Sequence, residues 1–214
     1  MDVIVDNLDQ YLGGMGDTVA LTLLSFAIAF LIGVVVAGFR VSPVPPLRAV
    51  GAMYVNTVRN TPLLVIFYVA LLGLPKVGIL FEPFPTAIIV LSLYTGTFVA
   101  ETVRAGINSV GLGQAEAGRS LGMTFPQVLV LVVLPQALRT VVQPLGSIFV
   151  ALIKNSAVAT AIGVSTLSRV ASEVNTETAQ YIPAYLGAAI AYLVLTLPSG
   201  QAIGWIERKV AIKR

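Results

Sequence analysis

The chain has 214 residues, 57% of them hydrophobic and 11% charged, with a mean hydropathy of +0.91 and a net charge of +3. Soluble domains carry roughly 25% charged residues, so lipid must cover much of this surface. Cysteine and histidine are both absent, which excludes disulfides, thiol nucleophiles, histidine bases and the commonest metal ligands.

The length suits one compact membrane domain over residues 1–214. Residues Met1 to Gly16 hold Asp2, Asp6 and Asp9 and no base. A secretory signal opens with positive charge, so no cleaved signal is expected. A span needs roughly 20 mostly apolar residues, and residues 18–39 supply the first, with Arg40 at the end. The prolines of Val41-Ser42-Pro43-Val44-Pro45-Pro46 then stop the helix. From Leu47 to Leu74 the chain is apolar enough for one long helix, but Asn60-Thr61-Pro62 interrupts it. Asn or Thr before Pro is a helix-start signature, so two helices are expected. A short amphipathic one covers about Leu47 to Arg59, and a span covers 62–81. Further spans are expected at 85–103, 126–153 and 182–206. The fourth contains Pro135, Pro144 and Gly146, so it should be kinked and face other helices.

Charge sets the orientation. Alternate loops collect Arg40 and Arg48, then Arg104 and Arg119, then Arg208, Lys209, Lys213 and Arg214. The opposite loops carry Asp2, Asp6, Asp9, Asp17, Glu82, Glu173 and Glu177 against Lys76 and Arg169. The positive-inside rule places the N-terminus outside and the C-terminus in the cytoplasm, an odd number of crossings. The expected fold is an all-α membrane protein of about five transmembrane helices.

Between the third and fourth spans the chain reads Gly111-Leu112-Gly113-Gln114-Ala115-Glu116-Ala117-Gly118-Arg119-Ser120-Leu121-Gly122-Met123. A simple connection needs only a few residues. This one can form a short helix over 114–122, closed by Gly122. Small side chains permit close approach to a partner's groove, and Glu116 offers that partner one charge to recognise. Gln114, Ala115, Glu116, Ala117, Gly118, Arg119, Ser120 and Gly122 are therefore the candidate docking residues.

The order Glu116-Ala117, then Gly122, then nine residues, then Val132-Val133-Leu134-Pro135 resembles the EAA loop of ABC importer permeases. Gly118 stands where that family usually has Ala, and Val132 where it usually has Ile; both changes are mild. The resemblance extends over nearly the whole chain. Arg40-Val41-Ser42-Pro43, Asn56 through Leu63, Phe98-Val99-Ala100-Glu101, Leu134-Pro135-Gln136-Ala137 and Lys154-Asn155-Ser156 look like the polar amino-acid branch. Several look closest to glutamate permeases of actinobacteria. The resemblance implies the type I importer fold and a multi-pass place in a bacterial plasma membrane. It implies import of polar amino acids, glutamate or glutamine, by alternating access. It also implies an ATPase subunit dimer, a second permease subunit (identical or related) and an extracytoplasmic binding protein. No Gly-x-x-x-x-Gly-Lys-Ser/Thr loop occurs, so this chain holds no cofactor and is not an enzyme. ATP and magnesium belong to the partner ATPase, and no nucleic-acid partner is expected. The alternatives are an ion-coupled secondary amino-acid transporter and a permease for another polar solute.

Charges at bilayer depth cost ~2.5–3.5 kcal/mol or more, so each needs a partner or water. Arg59, Asn60 and Thr61 sit where the second helix restarts, a place that favours a carboxylate; a snorkelling cytoplasmic Arg59 fits equally. Glu101 can pair with Arg104 on its own helix, bond Arg59 or line the inner gate. Thr97 lies one turn before it, and its default is a bond to its own backbone. Lys154, Asn155 and Ser156 end the fourth span, either as an interfacial anchor or as a polar ring near the path.

Overall fold

The computed structural model describes residues 2–79 and 82–210, and no strand occurs among the described residues. Helix α1 (Asp2–Asp6) leads into α2 (Leu8–Val41), a single helix of 34 residues. At ~1.5 Å per residue α2 is longer than a hydrocarbon core is thick, so it projects beyond the membrane. It begins ten residues before the expected span. The extension is held by Tyr11, which is buried and donates its hydroxyl to the Ala184 carbonyl at 2.7 Å.

Helix α2 stops where Ser42 turns extended ahead of Pro43, and α3 (Pro45–Arg59) starts with prolines in its first turn. The chain then breaks at Asn60–Pro62 and continues as α4 (Leu63–Tyr68), a π turn (Val69–Gly73) and a 3₁₀ turn (Leu74–Val77). The two arms of this broken pair bend by 99°. The span expected to end at Phe81 has its end outside the described residues. Helix α5 (Pro83–Ser109) carries Glu101 and Arg104 inside the helix, since it runs six residues past the expected end. After α6 (Leu112–Ser120) comes α7 (Phe125–Gln127), a π segment (Val128–Val133), α8 (Leu134–Asn155) and a 3₁₀ turn (Ser156–Ile162). An amphipathic helix α9 (Leu167–Thr178) precedes α10 (Tyr181–Val210). Neither the 3₁₀ turn nor α9 was expected from the sequence. Among the described residues four helices are long and apolar enough to cross a membrane, and the bent pair, counted as one broken span, brings the number to five.

Both π segments precede a proline. Pro75 and Pro135 would each clash with the carbonyl four residues earlier, at Leu71 and Leu131, and both leucines lie inside the widened turns. The irregularity in the fourth span thus falls just before Pro135, while Pro144 stays inside a continuous helix.

The best-packed contact joins α2 to α5. Ser25, Ala29, Gly33 and Ala37 recur every fourth residue on α2 and are all buried. Ser92, Gly96 and Ala100 do the same on α5, and the two helices run parallel with these residues in matching order. Ser92 donates its hydroxyl to the Ser25 carbonyl at 3.2 Å. A Cβ at Gly33 would lie 2.4 Å from Val99, so the backbones meet at a distance only glycine allows. In lipid no hydrophobic force draws helices together, and this close approach is what holds the pair. The device recurs between α5 and α8, where a Cβ at Gly106 would lie 2.3 Å from Val141, and between α8 and α10, where one at Gly146 would lie 2.1 Å from Ile203. At the other end, Thr18 of α2 is buried and accepts the Leu167 amide at 3.2 Å, capping α9 from a neighbouring helix.

Candidate coupling helix and membrane path

Helix α6 starts two residues before the predicted range, after an extended Gly111, and ends at Ser120. Its end is a Schellman turn. Gly122 takes φ +81° and donates to the Arg119 carbonyl at 2.9 Å, while Met123 donates to the Gly118 carbonyl at 3.2 Å. Gly122 is thus the residue just beyond the cap, at a φ that other residues rarely adopt. Gly118 is buried, and a Cβ there would lie 3.1 Å from Val128. At Gly118 α6 therefore packs closely on the π segment. With ~100° per residue, Gly113, Glu116 and Ser120 lie opposite Gly118 and face away from the bundle. Ser120 is bonded back to the Glu116 carbonyl at 3.0 Å, and Gln114, Glu116 and Ala117 are exposed. Ala115 and Arg119 instead border a cavity behind the helix.

Two residues missed by sequence reasoning flank this helix. Leu112 and Leu121 are 81% and 83% exposed, the highest values among the exposed large hydrophobic side chains. The signal was legible: two leucines bracketing an otherwise small, polar segment.

The break at Asn60-Thr61-Pro62 is present, but its capping is reversed. The Asn60 amide donates to the Asn56 carbonyl at 2.7 Å and the Thr61 hydroxyl to the Thr57 carbonyl at 2.8 Å. Both side chains satisfy the end of α3, where carbonyls lack partners, and neither caps α4. Arg59, on the last turn of α3, is exposed and stacks over Phe98, its guanidinium carbon 4.9 Å from the ring centroid. It has no carboxylate partner among the described residues.

Glu101 is bound on both sides. Arg104 pairs with it at 3.0 Å, as the i,i+3 spacing predicts, and Arg40 of α2 pairs with its other oxygen. Arg40 was read as a loop base; α2 runs on to Val41 and brings it onto α5. The pairing ties the last turn of α2 to the well-packed α2–α5 contact and leaves Glu101 no free carboxylate for a gate.

Thr97 and Ser156 are turned into the interior of this chain. Both are fully buried, and their hydroxyls donate to the Tyr94 and Ile153 carbonyls at 2.7 and 2.6 Å. In a low-dielectric core a short side chain bonds its own helix first. Asn155, the last residue of α8, is half-buried. Lys154 is exposed and lines a groove of about 430 Å³ with Gln143, Ser147, Val150 and Glu207. Gln143, Ser147, Val150 and Lys154 share one stripe of α8, so a polar face runs along this helix at membrane depth.

The family described as "Binding-protein-dependent transport system inner membrane component" matches residues 29–212. The probable glutamine ABC transporter permease protein GlnM of Bacillus subtilis is 36% identical, covering 98% of this chain and 97% of its own. The glutamate transport system permease protein GluC of Corynebacterium efficiens is 38% identical, covering 92% of each. Among solved structures, an amino acid ABC transporter crystallised with histidines superposes with a TM-score of 0.89 at 33% identity, over 96% of each chain. An inward-facing MetNI methionine ABC transporter superposes with a TM-score of 0.84 at 22% identity, over 97% of this chain and 99% of that one, which speaks for the fold.

Proposed function

Since the chain belongs to the binding-protein-dependent inner membrane component family, we propose that it is the amino-acid-conducting permease of an ATP-driven importer for glutamate or glutamine. The observation that carries this reading is the construction of α6. A short helix seated by Gly118 turns Glu116 away from the membrane bundle and leaves Leu112 and Leu121 exposed at its two ends, as a handle for a motor must be. A separate ATPase dimer grips α6, holding ATP and magnesium in its own sites. ATP binding draws α6 inward, and the α2–α5 pair moves as one body because its contact leaves no slack. The path then opens toward an extracytoplasmic binding protein, between this chain and a second permease subunit. Residues 1–214 act as one permease domain.

The relatives named for glutamate and glutamine support the substrate class. So does the charge left over: among the described residues Arg59 and Lys154 are exposed cations without ion-pair partners, whereas Glu101 is neutralised twice. An anionic solute meets attraction along such a route. Of the predicted path residues, Arg59 and Lys154 are the two this reading retains as charge contacts, with Asn60, Thr61 and Asn155 beside them.

The test is reconstitution of the chain with its ATPase, second permease and binding protein in proteoliposomes. ATP-dependent uptake of radiolabelled glutamate or glutamine is the expected result. Uptake that survives without ATP and collapses with an ionophore would overturn the reading in favour of ion coupling.

A further inference from the structure

Behind α6 lies a cavity of about 450 Å³ that the transport cycle above does not use. That volume falls within the ~300–1,000 Å³ of sites that hold organic ligands. Its walls are mostly apolar, from Ile107 of α5, Val110 just past it, Leu112 of α6 and Val128, Leu129 and Val133 of the π segment, with Asn108 of α5 a polar exception. Val41 closes it on the α2 side, and Arg119 of α6 stands at its edge.

The position along the bundle identifies what surrounds it. The Arg40–Glu101–Arg104 cluster marks the end of α2 and α5 that the basic residues place toward the cytoplasm. The cavity begins one to two helical turns past that cluster, at Ile107 to Val110. This is the depth of the inner headgroups and the first part of the acyl chains.

Charge narrows the occupant further. Among the described residues no carboxylate lines the cavity, and Arg119 is exposed without an ion pair. Arg48 lies close by: its guanidinium donates to the Ser42 carbonyl at 3.0 Å, next in the chain to Val41. An apolar slot with basic residues at its edge, on the cytoplasmic side of a membrane bundle, is suited to an anionic lipid. We propose that this cavity binds one anionic phospholipid, its acyl chain between α5, α6 and the π segment and its phosphate against Arg119. The lipid would brace α6 from the side opposite Ala117, so that anionic lipid becomes a structural part of the coupling region. The inference shares the membrane orientation with the transport reading, but its test needs neither ATP nor amino acid.

The full-length chain is purified from bilayers of equal phosphatidylglycerol and phosphatidylcholine, and the retained lipids are counted by native mass spectrometry. The expected result is one retained phosphatidylglycerol, favoured over phosphatidylcholine by about fivefold, the worth of roughly one basic contact. Arg119→Gln should abolish the preference, Arg119→Lys should keep most of it, and Ala115→Phe, which fills the slot, should remove the lipid. Equal retention of the two lipids, or retention unchanged in both Arg119→Gln and Ala115→Phe, would overturn the proposal. So would an Ala115→Phe chain that keeps its lipid but no longer copurifies with the ATPase, since the cavity would then belong to a protein partner.

Discussion

The α2–α5 contact and the α3–α4 break lie on the same bundle and follow opposite rules. In the first, small residues every fourth position bring two backbones together, and these residues are buried within this chain. In the second, a 99° bend leaves Arg59 and Asn60 exposed and Thr61 half-buried on a surface that this chain does not cover. The polar stripe of α8 around Lys154 belongs with the second kind, and so does the outer face of α6. The difference separates what this chain finishes alone from what it leaves to solute, lipid and partner proteins.

The closed side can be broken directly. Gly33→Leu must force Val99 away from α2 and should cost about 3 kcal/mol or more, enough to remove most folded protein. Gly38→Leu, where a Cβ meets nothing within 4 Å, should change stability by less than ~0.5 kcal/mol. Thermal melting followed by size-exclusion chromatography reads both. On the open side, Glu116→Arg should melt normally yet lose uptake by about a hundredfold, as a charge reversal at a docking face costs several kcal/mol. Leu121→Asp should lose the copurifying ATPase in the same way. Arg59→Gln should lower glutamate uptake by about tenfold and glutamine uptake less, the value of one charge-assisted bond. Equal losses for the two substrates would remove Arg59 from the path. A modest effect is expected at Glu101→Gln, about 1–2 kcal/mol, because the cluster is partly solvated. Adding Arg40→Gln should restore part of it, measured as a double-mutant cycle on melting.

Much of this was legible in the residues. The spans, the break at Asn60-Thr61-Pro62 and the short helix around Glu116 each follow from hydropathy, proline chemistry and glycine placement. Three features were not. The forward extension of α2 carries acids and glycines that lower its apolarity, and the tertiary contacts of Tyr11 support it instead. Helix α9 is too polar to read as a span and too short to stand alone; Thr18 from another helix caps it. The Arg40–Glu101 pair joins residues 61 positions apart, and no local spacing announces it. The same limit governed the path residues: sequence marked Thr97 and Ser156 as polar, but only packing decides which face of a helix they occupy. The small-residue ladder of Ser25, Ala29, Gly33 and Ala37 was readable at four-residue spacing and is the clearest signal that went unused.

The central claim is that α6 presents its Glu116 face to a cytoplasmic motor while Gly118 holds its other face to the bundle. The chain has no cysteine, so Ser120→Cys gives a single reporter on the outward face. Labelling with a membrane-impermeant maleimide should succeed from the cytoplasmic side only, and the ATPase should protect the site. Labelling from the opposite side of the membrane, or labelling that bound ATPase leaves unchanged, would contradict it.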